Sequence, residues 1–71
     1  MKGMLWLMTD IKRPFAERVQ TAVAYYAQKY GRRPVLVQVN KADMDNTAVD
    51  GITVEIGAYV PLHHLFVVVE K

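Results

Sequence analysis

Two residue types are missing altogether from this 71-residue chain, cysteine and serine. The lack of cysteine excludes disulfides and thiolate zinc sites together. The lack of serine removes the commonest hydrolase triads and leaves threonine or tyrosine as the remaining hydroxyl nucleophiles. Long hydrophobic runs are missing too, and nothing approaches the roughly 20 apolar residues of a membrane span. The short run from Met4 to Met8 faintly imitates a signal peptide, but Asp10, Lys12 and Arg13 close it without a small-residue cleavage site. A cysteine-free chain with neither kind of segment fits a cytoplasmic protein.

What is present is mostly apolar. At 52% hydrophobic residues the chain is too apolar for a disordered segment, and its length suits one domain, residues 1–71. A domain this small buries only about 60–65% of its unfolded surface. Such domains add disulfides, a metal or oligomerisation to their margin, and with disulfides excluded the weight shifts to oligomerisation. The net charge of +2 hides an asymmetry. Residues 1–34 hold seven basic side chains against two acids, and residues 35–71 hold two against five. That division suits opposite charges meeting within one fold or across a dimer better than nucleic acid, which selects clustered Lys and Arg.

The periodicities predict one helix among four strands. Gly3–Met8 is a short continuous apolar run, as in a strand buried on both faces. Pro14 suits a first helical turn, and Phe15, Val19, Ala22, Val23, Tyr26 and Tyr30 recur at helical spacing. Gly31 then supplies a left-handed stop, so the helix is expected over 14–30. Val35–Val39 alternates, as does Ile52–Val60, and Leu65–Val69 is a second doubly apolar run. Between them, residues 41–51 read as a polar, acidic loop. The fold class is therefore α+β: a βαβββ two-layer sandwich with one helix on one face of a four-stranded mixed sheet. The first two strands are expected to be parallel, joined by a crossover.

One helix covers one face, yet these strands carry apolar residues on both. If the helix covers the Val35/Val37/Val39 side, the opposite face gathers Leu36, Tyr59, one row of the first strand, Met4/Trp6/Met8 or Leu5/Leu7, and one of the last, Leu65/Val67/Val69 or Phe66/Val68. An exposed patch of that kind exceeds what monomers usually show, and stacking about a two-fold axis buries it. A homodimer with Trp6, Leu36, Tyr59 and Phe66 at its interface is the expectation.

The polar residues point to less. At the carboxyl ends of the parallel strands, Thr9, Asp10, Lys12, Arg13, Asn40, Lys41 and Asp43 form an edge where ligands favour α/β sheets. Lys12 and Arg13 oppose the helix dipole, which a bound anion reconciles, but no glycine-rich phosphate loop is present. Asp43, Asp45 and Asp50 imitate a calcium loop until Ala48 and Val54 occupy the positions that require glycine and glutamate. A nuclease-type carboxylate pair at Asp50 and Glu55 lacks its lysine, since Gly57 stands there. His63 and His64, adjacent on an extended chain, face opposite ways and chelate one metal poorly. They are expected at the edge opposite the acidic loop, near Arg32 and Arg33. There they form an alternative anion- or nucleic-acid-binding set.

No metal, cofactor or membrane partner is indicated, and no catalytic set assembles. The reading is a non-enzymatic binding or scaffold domain that self-associates through its uncovered sheet face. The alternative is a small nucleic-acid or anion binder using Arg32, Arg33, His63 and His64, or Lys12 and Arg13.

Overall fold

The structure is a computed structural model that describes residues 2–9 and 12–70. Among these residues are four strands, β1 (Lys2–Leu7), β2 (Leu36–Val39), β3 (Thr53–Ile56) and β4 (His64–Glu70). A single α-helix, α1 (Phe15–Tyr30), joins β1 to β2. The expected α+β class is what forms.

The helix follows its sequence signals. Phe15, Val19, Ala22, Val23 and Tyr26 are its buried side chains. Gly31 takes φ 76° and returns its N–H to the Ala27 carbonyl at 3.0 Å. At the other end the Arg18 N–H bonds the Pro14 carbonyl at 3.1 Å, with no side-chain cap. That leaves the first turn to Pro14's fixed φ and to Glu17, whose charge suits the positive end of the dipole.

The sheet order is β1-β4-β2-β3, with β4 antiparallel to both β1 and β2 and β3 parallel to β2. β1 and β2 are parallel as expected, but β4 is inserted between them. The register sets Trp6 beside Leu65 and Leu65 beside Val39, with Met4, Val67 and Val37 in the next row. Side chains alternate across a strand, so these rows share one face. Val37, Val39, Leu65 and Val67 are buried there with the helix stripe and Met8.

Two expectations need correction. The alternating segment 52–60 ends as a strand at Ile56, because the chain turns at Gly57 and the Val60 N–H bonds the Gly57 carbonyl at 3.3 Å. The acidic stretch is a loop as expected, and after a 3₁₀ turn at Lys41–Asp43 it brings Val49 into the core and packs Met44 against it. Trp6 lies on the helix side of the sheet, half-buried, with its ring centroid 5.2 Å from Tyr25 and 5.9 Å from Tyr26. It is therefore not on the uncovered face.

Tyr26 belongs to an aromatic row that clamps the free side of β1. The Met8 N–H reaches inward to the His63 carbonyl of the neighbouring segment. By the alternation of an antiparallel ladder, Leu5 turns its carbonyl outward. The Tyr26 hydroxyl donates to that carbonyl at 3.3 Å. Burial, then the adjacent Tyr25 and Tyr30, push the Tyr26 phenol above its usual range. A raised acid pKa contributes stability that is complete below the unfolded value of about 10 and is lost as pH climbs through the folded one. Melting temperature is accordingly expected to fall as pH rises above about 10, and Tyr26→Phe is expected to flatten the decline. An equally steep decline in the variant would place the alkaline sensitivity elsewhere.

Candidate binding face

The side of the sheet away from α1 is assembled by the same alternation. It receives Gly3, Leu5 and Leu7 from β1, Phe66 and Val68 from β4, Leu36 and Gln38 from β2, and Thr53 and Glu55 from β3. Its rows are not equally open. Leu36 and Val68 are only 6% and 5% exposed, so Leu36 offers little surface to a partner and its expected interface role is corrected. Leu5 and Leu7 on the edge strand are 51% and 52% exposed. The one charged side chain on the β3 part of this face, Glu55, accepts from Gln38 Nε2 at 3.1 Å.

The turn after β3 shapes this face into a groove. A Cβ on Gly57 would meet Val60 Cγ2 at 2.7 Å and Gln38 Cβ at 2.9 Å, so only glycine lets the turn press this closely on β2. Asn40 Nδ2 holds the Val60 carbonyl at 3.0 Å, and Val60 is buried. Between this turn and β1 lies a groove of about 450 Å³ walled by Leu5, Gln38, Ile56, Val60 and Phe66. Tyr59 stands on its rim with 98% of its surface exposed. Of the four expected interface residues, Tyr59 and Phe66 are thus on the open face and accessible. Leu5 and Leu7, whose row is as apolar as that of Met4, Trp6 and Met8, are the β1 residues on this face.

The histidines are at the other edge from the one expected. β3 runs parallel to β2, so the chain leaves both at the same end and β4 starts there. His63 consequently meets Asp43 of the acidic stretch, with its backbone N–H donating to Asp43 Oδ2 and its ring Nδ1 3.2 Å from Oδ1. His63 holds φ 63°, a left-handed conformation that a non-glycine residue adopts at a cost. The Asp43 carboxylate offsets that cost by satisfying two groups of the strained residue. His64 Nδ1 lies 2.9 Å from the Leu62 carbonyl. The pair of Asp43 and His63 serves as a clamp on the turn. Among the described residues, no group of three or more His, Asp or Glu is placed to hold a metal.

The basic residues divide between the two ends of the sheet. Lys12 and Arg13 are exposed just before α1, while Arg32 and Arg33 flank a groove with Leu36, Val68 and Val69 at the far end. Arg33 is engaged: its Nη2 donates to Gln20 Oε1 at 2.6 Å, and Gln20 Nε2 donates to the Asp50 carbonyl at 3.0 Å. Asp10, expected at the carboxyl edge, lies outside the described residues. Arg32 and Arg33 therefore do not join His63 and His64 in one cluster.

No helix among the described residues is long and apolar enough to cross a membrane. In comparisons with family models, curated proteins and solved structures, the chain matches none.

Proposed function

We propose that the chain is a cytoplasmic, non-enzymatic assembly module whose copies pair face to face across the open side of the sheet. The observation that carries this reading is the coexistence of a projecting Tyr59 and an apolar groove on one face. A two-fold rotation sets the tyrosine of each copy against the groove of the other, the isologous arrangement of most dimers. Tyrosine suits such a role, since its ring fills an apolar pocket while its hydroxyl finds a polar rim. Leu5 and Leu7 extend the patch along β1, and Glu55 with its Gln38 partner provides that rim.

Analytical ultracentrifugation tests the reading. The wild-type chain is expected to sediment as a dimer at micromolar concentration. Tyr59→Ala is expected to weaken pairing by about 2 kcal/mol, roughly thirtyfold, as for a central anchor. Leu7→Lys should give a folded monomer whose melting temperature falls only by what pairing contributed, because the side chain is half exposed. A wild-type monomer at high micromolar concentration would sink the proposal. Salt-dependent binding of mixed oligonucleotides by that monomer would instead favour the basic residues at the sheet ends.

A further inference from the structure

On the helix side of β1, away from the pairing face, a second cavity of about 310 Å³ opens between the strand's carboxyl end and the first turns of α1. Trp6 and Met8 form its apolar wall, while Thr9, Arg13, Arg18 and Thr21 provide the polar one. One atom there is unsatisfied. The Arg18 Nε is shut off from solvent and donates to no acceptor among the described residues. Buried donors are nearly always paired, so an unpaired guanidinium nitrogen beside a cavity marks a missing acceptor. The guanidinium carbon rests 5.9 Å from the centre of the Phe15 ring, an attraction that holds the group without supplying that acceptor.

We propose that this cavity binds a small oxyanion carrying a flat apolar body, such as an aryl phosphate or aryl carboxylate. A modest rotation of the Arg18 side chain turns Nε and one Nη outward as a fork, which matches two oxygens of such an anion. The Thr21 hydroxyl already donates to the Glu17 carbonyl at 2.9 Å, leaving Thr9 as the hydroxyl that donates to the ligand. The apolar body lies along Trp6, whose ring continues into Tyr25 at 5.2 Å. The volume suits this ligand class, being at the lower end of small-molecule pockets and sized for one ring and one anion.

Trp6 is the single tryptophan, so its fluorescence reports directly on occupancy. Titration of the full chain with phenyl phosphate is expected to give a saturable change at millimolar ligand or below. Inorganic phosphate, lacking the ring, should bind more weakly. Arg18→Leu is expected to weaken binding about tenfold or more, the worth of a charge-assisted pair. Arg18→Lys keeps the charge but loses the fork, giving an intermediate loss and a second reading should the leucine variant fold poorly. The response should persist in the Leu7→Lys variant, which separates this site from the pairing face. No saturable response, unchanged affinity in either Arg18 variant, equal affinity for inorganic phosphate, or response to oligonucleotides alone would each overturn the proposal.

Discussion

Leu65→Ala is expected to remove at least a third of the folding free energy. Leu65 is 0% exposed at the centre of the sheet, flanked in register by Trp6 on one side and Val39 on the other. It faces the helix stripe, with Val19, Ala22 and Val23 in the same core. Replacing a buried leucine by alanine costs about 2–5 kcal/mol, and the upper range applies where the surroundings cannot collapse into the gap. A central strand hydrogen-bonded on both sides is such a place. Domains hold about 0.05–0.15 kcal/mol per residue, which for 71 residues is roughly 4–11 kcal/mol. The variant should therefore lose between a third and all of its margin, seen as a large drop in the urea midpoint with little change in slope. A loss below about 1 kcal/mol would mean that the helix does not rest on this residue.

Gly3→Val is the other large effect, and its origin is steric. A Cβ at Gly3 would meet two Phe66 ring atoms at 2.8 Å and the Val67 carbonyl oxygen more closely still. The ring can swing away, but the carbonyl belongs to the backbone of a central strand and cannot. The register already shifts between Lys2 and Gly3, so β1 has accommodated this approach once. Overpacking of this kind costs about 1–3 kcal/mol. It should also move Phe66, a wall of the groove beside Tyr59, so pairing is expected to weaken together with the melting temperature. A variant that melts and sediments like the wild type would refute the close approach of β1 and Phe66.

These expectations depend on features that differ in how plainly the amino acids announce them. The helix was legible because Phe15, Val19, Ala22, Val23 and Tyr26 repeat at its period and Gly31 stops it. The sidedness of β2 was legible because Gln38 interrupts an otherwise apolar strand. β1 gave no such mark. Met4, Trp6 and Met8 are as apolar as Leu5 and Leu7, so alternation could not say which row faces the helix. Trp6 was accordingly set on the open face, when its ring packs on Tyr25 and Tyr26.

Strand order had no local signal either. The insertion of β4 between β1 and β2 rests on pairings such as Leu5 with Phe66, far apart in the chain. The parallel run of β3 beside β2 had no local mark either, and it is what brings His63 to Asp43 rather than to Arg32 and Arg33. Val49 was hidden differently, as one apolar residue in a polar stretch without a period. The pairing groove was half visible: Tyr59 and Phe66 were named, but the turn at Gly57 that creates it was read as a continuing strand. The Arg18 cavity was not visible, because an unsatisfied nitrogen exists only once the packing does.

The strand order also governs how the molecule comes into being. During synthesis β1 emerges first and β4 last of the four, yet β4 is the strand that β1 and β2 both need. Until then the available strand pair is β2 with β3, and the apolar side chains of β1 have nothing in the sheet to meet. A nascent chain halted before residue 64 is thus no smaller version of the fold. It is a helix with a loose greasy strand, the kind of species that chaperones hold and that aggregates when they do not. Contacts this distant in sequence also close slowly, so the docking of β4 sets the pace for the whole sheet.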